Sequence, residues 1–223
     1  MQRIQPDNNF DQFIISVKLE KLEQVKTALK PQYHINVNQP DINKYGMTAL
    51  HFAAWDNYVE IAKILLNNKA DINCLDHRGL SPLMIAAIRG HENMVVLFLE
   101  QGNVIKINQQ LNRIFGMTAL HYAAFYGNEK IVKLLLEHGA YTDFKTSEPQ
   151  YIDRGSKDEV YIRKDSTPLQ IAAQRNFTNI VCVLLKHGAN FENIIDRIPA
   201  IKNGRLHFFL QVIQEMLPMN NKD

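Results

Sequence analysis

One seven-residue motif occurs four times and limits the fold more than any other feature. Thr48-Ala-Leu-His-Phe-Ala-Ala54 returns as Ser81-Pro-Leu-Met-Ile-Ala-Ala87, as Thr118-Ala-Leu-His-Tyr-Ala-Ala124 and as Thr167-Pro-Leu-Gln-Ile-Ala-Ala173. The intervals between copies are 33, 37 and 49 residues. Self-similarity at such a period belongs to chains built by stacking one small unit, and it argues against a single sheet-centred core. Each copy is followed by a second apolar segment: Val59 to Leu66, Met94 to Leu99, Ile131 to Leu136 and Ile180 to Leu185. Thr or Ser can cap a first helix, and Pro82 and Pro168 sit in its first turn, where a missing N–H costs nothing. Paired alanines let a neighbouring helix come close. Gly127 fits a tight turn between two helices, and Gly139 and Gly188 fit a left-handed position after the second. Two antiparallel helices per unit follow. Neither is long enough to stand alone, so each must bury its apolar stripe against the next unit.

This pattern resembles the ankyrin repeat, with its Thr-Pro-Leu-His-x-Ala-Ala helix start, its Leu-Leu second helix and its Gly-Ala exit. The resemblance covers about residues 43–194 and implies an all-α ankyrin-repeat solenoid of about six helix-turn-helix units with a hairpin-like insertion. Four units are clear: 43–75, 76–112, 113–145 and 162–194. Two are degenerate caps, 7–42, where Ser16-Val17 replaces Ala-Ala, and 195–217, with Gly204 at its turn. Worn end units are expected because their outer faces meet water. The whole chain, 1–223, is read as one such domain. The insertion falls in 146–161, where Tyr151-Ile152 and Val160-Tyr161-Ile162 flank a polar Gly155-Ser156 turn, the pattern of a β-hairpin finger.

Charge and cysteine content narrow the function. The formal net charge is only +2, so no nucleic-acid partner is expected. Cys74 and Cys182 are too few for a disulfide framework and fit a reducing, cytoplasmic setting. The first ten residues lack the apolar run of a secretory signal, and no stretch approaches the length of a membrane helix, so no membrane insertion is expected. No phosphate loop, zinc-protease or nucleophile-elbow motif occurs. The eight histidines do not suggest a metal site. His51 and His121 occupy the motif position where the family's histidine bonds to nearby backbone and Thr, and His138 and His187 stand at helix C-termini. No cofactor and no catalysis are expected.

The family resemblance implies that hairpin tips, and the residues just after Ala-Ala, point outward on the concave side. Those positions yield a candidate partner-binding set of Tyr45, Met47, Trp55, Arg78, Ile88, Arg89, Phe115, Phe125, Tyr126, Arg163, Lys164 and Arg175. The middle of this face reads aromatic and its C-terminal end basic. Aromatic residues are what interface centres contain. The ladder expected across three repeats has Trp55, Phe125 and Tyr126 exposed beside Tyr45, Ile88 and Phe115. A monomer that binds another protein, by an extended or acidic-ended segment, is the expected activity. Two settings stay open, a housekeeping adaptor in a eukaryotic cell and a secreted bacterial effector acting in a host cytosol; abundant Asn, Ile and Lys, the mark of an AT-rich genome, tilt slightly to the second. The alternative is an enzyme, or an enzyme's regulatory subunit, using the 146–165 finger and the adjacent basic face. Asp71-Ile72-Asn73 resembles the site at which an iron- and 2-oxoglutarate-dependent hydroxylase modifies ankyrin hairpins, which marks Asn73 as a candidate.

Overall fold

A computed structural model describes residues 8–110, 116–152 and 160–191. The chain divides into two compact units, Met1–Ile114 and Phe115–Asp223. The first holds three helix pairs: α1 (Asn8–Lys18) with α2 (Leu22–Ala28), α3 (Ala49–Asp56) with α4 (Val59–Asn67), and α5 (Pro82–Arg89) with α6 (Glu92–Leu99). Helix α3 packs between α1 and α5, while α4 packs between α2 and α6, so inner and outer helices form two layers. The second unit holds α7 (Ala119–Tyr126) with α8 (Glu129–Glu137), then the strands β1 (Gln150–Ile152) and β2 (Val160–Ile162), then α9 (Pro168–Gln174) with α10 (Thr178–Lys186). There α7 lies on α9 and α8 on α10. The fold is thus an all-α repeat array with one inserted hairpin. The expected C-terminal cap, 195–217, lies outside the described residues.

Local chemistry starts and stops each inner helix. The Ser81, Thr118 and Thr167 hydroxyls accept from the third backbone N–H of their helices, and Pro82 and Pro168 open two of them. The turns into the outer helices need positive φ. Gly90 and Gly127 supply it in α5–α6 and α7–α8, and Asn57 (φ 61) and Asn176 (φ 60) supply it elsewhere. Gly127 also makes room, because a Cβ there would lie 2.7 Å from the Phe177 ring. Ala53, Ala54, Ala86, Ala87, Ala123 and Ala124 are all fully buried. Their small side chains set the close spacing of inner helices.

The motif histidines tie unit to unit. Thr48 N–H donates to His51 Nδ1 (3.0 Å), which leaves the proton on Nε2 to be donated to the Leu80 carbonyl (3.0 Å) of the next hairpin. Thr118 N–H and His121 Nδ1 repeat the contact at 3.1 Å, and His121 Nε2 reaches the Ser166 carbonyl at 3.2 Å. In the fourth motif Gln170 Oε1 accepts from Thr167 N–H (3.1 Å) in the same role.

The inserted finger is a real antiparallel pair, with Tyr151 opposite Tyr161. Its tip, 153–159, lies outside the described residues. Its base is closed by Thr146 and Ser166. Thr146 N–H donates to Ser166 O (3.0 Å) and Ser166 N–H to Thr146 Oγ1 (3.0 Å). Both hydroxyls donate to Arg163 O, at 2.9 and 2.7 Å.

Burial pushes the pKa of His121 down from 6.5 to about 4, and burial lowers His51 as well. The unfolded chain takes up this proton near pH 6.5 and the folded chain only near 4. Acid therefore favours unfolding across that window, and the stabilisation is whole above it. We expect thermal melts to fall from pH 6.5 to 4, with His121 contributing on the order of 3 kcal/mol. His121→Gln, which keeps the Gln170-type bond, should remove that part of the acid sensitivity.

Candidate functional site

Two hairpin tips and two inner helices of the first unit bring four of the candidate residues together. The tip between Asp41 and Met47 turns through Tyr45 (φ 54) and Gly46 (φ 66), which leaves Tyr45 62% exposed. The next tip presses against it. His77 N–H donates to Tyr45 O (2.7 Å), and the His77 ring fills the space where a Gly46 Cβ would stand. Asp76 organises that second tip from a buried position. Its Oδ1 accepts from Arg78 N–H and Leu80 N–H, both at 2.9 Å, and its Oδ2 accepts from Arg78 Nε (2.9 Å) and Nη2 (2.7 Å). The guanidinium so held lies 4.8 Å from the Tyr45 ring centre and 6.0 Å from that of Trp55. Arg89, the last residue of α5, stacks on Trp55 at 4.8 Å. Trp55 is half-buried, and its carbonyl accepts from His91 Nε2 (3.0 Å). Arg89 is exposed and has no carboxylate partner among the described residues. Ile88 is half-buried.

Some expected site residues belong to the interior instead. Met47 is buried, with its sulfur 3.9 Å from Arg78 Nη2. In the second unit Phe125 has no exposed surface at all. Tyr126 meets it edge-on at 5.0 Å, and Arg175 covers it at 5.0 Å while also facing Phe177 at 5.7 Å. Phe125 is therefore a core ring, and Arg175 is a half-buried lid rather than an open rim charge. Tyr126 is half-buried, and Arg163 and Lys164 are exposed. Phe115 lies outside the described residues.

Asp76, His91 and Phe177 escaped the sequence reading. Asp76-His-Arg-Gly79 has the form of an Asx turn with a following arginine, a signal that was present. His91 and Phe177 both cap an outer helix, and nothing local marks the neighbour each one touches.

Asn73 is built into the backbone. Its Nδ2 donates to Val104 O (2.8 Å), and its Oδ1 accepts from Lys106 N–H (2.7 Å). Asn38 makes the same two bonds one repeat earlier, to Lys69 O and from Asp71 N–H. Both amides stitch adjacent hairpins together. Cys74 is similarly occupied, since burial raises its pKa to about 11 and its Sγ sits 3.4 Å from Thr48 Oγ1. Such a thiol is a poor nucleophile at neutral pH. No group of three or more metal-ligating side chains occurs among the described residues.

Family models described as ankyrin repeats match residues 68–146, 32–86 and 164–197. The chain is 30% identical over 84 residues to Notch-regulated ankyrin repeat-containing protein A of Danio rerio, which covers 38% of this chain and 75% of that protein. It is 33% identical over 144 residues to the putative E3 ubiquitin-protein ligase XBAT31 of Arabidopsis thaliana, 64% of this chain and 30% of the ligase. It is 28% identical over 148 residues to the B-cell lymphoma 3 protein homolog of Mus musculus, 66% of this chain and 30% of that one. The chain thus spans less than a third of the length of two of these relatives.

The two arginine–ring pairs should respond differently to truncation. Arg175→Ala uncovers Phe125 and should lower stability by about 1 to 2 kcal/mol in a denaturant melt. Arg89→Ala should stay within about 0.5 kcal/mol of wild type, because that side chain faces water.

Proposed function

Because the chain belongs to the ankyrin-repeat family, whose repeats bind other proteins, we propose that it is a non-catalytic adaptor or scaffold. It captures a partner protein on the face made by hairpin tips and the ends of inner helices. One observation carries this reading: Trp55, the single tryptophan of the chain, is left half-open beside an exposed Tyr45 and two guanidiniums. A ring that could have been buried, as Phe125 is, instead meets solvent, and aromatic and arginine side chains dominate interface energetics. Tyr45, Trp55, Arg78, Ile88 and Arg89 form this surface in the first unit. Tyr126, Arg163 and Lys164 are the corresponding candidate positions of the second unit, taken by itself. Phe125 and Met47 take no part, and Arg175 acts through packing.

The partner is a protein, by an extended or acidic-ended segment, and the chain binds it as a monomer. No described helix is long and apolar enough to cross a membrane. The low net charge supports a protein rather than a nucleic acid as ligand. A cytoplasmic setting fits the free thiols, and a secreted effector in a host cytosol fits the Asn-, Ile- and Lys-rich composition. Hydroxylation of Asn73 belongs to the same proposal. It requires the hairpin to open first, since both amide groups are engaged, and mass spectrometry of protein from animal cells would reveal the added oxygen. A second reading, a recognition part working with an enzyme, is favoured by the relatives named E3 ubiquitin-protein ligases.

The test is affinity purification from cell lysate with wild type and Trp55→Ala, followed by titration of the recovered partner. Trp55→Ala should weaken binding by about 2 kcal/mol or more. Its melting temperature should stay close to wild type. A sharp drop in melting temperature instead would assign the ring to the fold.

A further inference from the structure

We infer that Arg89, stacked on Trp55, is a subsite for a carboxylate side chain in an extended segment of the partner, set next to an apolar residue that lies on Trp55 and Tyr45. This rests on the protein-capture reading above and specifies what is captured. The motive is a register shared by both units. Trp55 and Phe125 are each the seventh residue of their inner helices. Arg89 ends α5, and Arg175 follows directly after α9, at the matching position of the next inner helix. Each arginine stacks on the ring of the preceding inner helix, at 4.8 and 5.0 Å. In the second unit the arrangement is closed. Phe177, which caps α10, gives Arg175 a second ring, and Phe125 is fully buried. In the first unit His91 holds the cap position on α6 and turns its Nε2 to the Trp55 carbonyl instead. Arg89 therefore has one ring beneath it and water above.

Charge counting selects the ligand. Arg78 lies against the same indole, but its Nε and Nη2 are bonded to buried Asp76. That pair is internally neutral. Arg89 is the uncompensated cation of the cluster among the described residues. One planar guanidinium, held over an indole at 4.8 Å, offers a two-pronged donor edge that matches a single carboxylate. A phosphoryl group carries nearly two charges and calls for a second free cation, and nucleic acid calls for a row of them. The stacking also restricts the arginine before binding, which cuts the ordering cost of the contact. The exposed Tyr45 ring supplies an apolar neighbour for the residue beside the acid.

The experiment is selection of linear peptides from a displayed random library on the full chain. Titration of the selected synthetic peptides is then read by fluorescence of Trp55, the only indole present. We expect the selected peptides to carry Asp or Glu beside an aromatic or aliphatic residue, and to change the Trp55 emission. Arg89→Gln should weaken them by about tenfold or more. Arg89→Lys should recover only part of that loss, because it restores charge without the fork. Arg89→Glu should prefer the same peptide with its acid changed to Lys. Melting curves of these variants should match wild type. Peptides that need Trp55 but ignore Arg89→Gln would overturn the carboxylate subsite and leave protein capture at this face standing. Peptides that ignore both Trp55→Ala and Arg89→Gln, or a selection yielding none that perturbs Trp55, would overturn both. A phosphoserine peptide binding about tenfold more tightly than its Glu counterpart would overturn the choice of ligand.

Discussion

None of the described helix pairs is long enough to bury its own apolar stripe. The described helices run to at most 11 residues, well short of what is stable alone in water. Each pair is therefore folded only against a neighbour, and everything else follows from how close neighbours come. The alanine pairs set that distance. With Ala53-Ala54 and Ala86-Ala87 fully buried, α3 and α5 approach closely enough for His51 to reach over to Leu80 O. The same closeness brings Arg89 onto Trp55. A larger residue in an alanine pair would push on the core, the histidine link and the surface stack together.

Much of the fold could be read from the chain because its signals are local. Pro82 and Pro168 in first turns, Thr and Ser at caps, and Gly127 at a positive-φ turn each act within a few residues of themselves. The finger was legible for the same reason, as two short β-prone runs around a turn. The site was legible only in part. Tyr45, Trp55, Arg78 and Arg89 do meet, because one helical register and one hairpin register place them there. Met47 and Phe125 occupy the same registers and are buried. What decides the difference lies in the adjoining repeat. Phe177 closes the second unit over Arg175 and Phe125, whereas His91 leaves Trp55 open. A repeat pattern fixes where a side chain starts, and the neighbour's variable positions decide whether it ends in water.

Buried polar groups follow the same division. Thr48, His51, Thr118 and His121 are buried and fully bonded, so the most chemically capable side chains of the motif are spent on architecture. Cys74 joins them, held at a high pKa by burial. On the candidate face of the first unit the unspent charge is Arg89, at an inner-helix end, while Arg78 is held at a hairpin tip. There Asp76 shows how one buried carboxylate can set a whole tip: it orders two backbone N–H groups and one guanidinium at once.

The closed base of the finger has a consequence for how the chain can vary. Thr146 and Ser166 complete their hydrogen bonds to each other and to Arg163 O at the foot of the paired strands, and His121 fastens the same Ser166 carbonyl to the helix layer. That knot is one of two anchors of the finger. The other lies on the strand itself, where Gln174 of α9 donates to Tyr161 O (2.7 Å) and Ile162 is fully buried. A change in the paired strands is therefore felt at the end of α9, and the finger behaves as a bracket bolted to the array at two points.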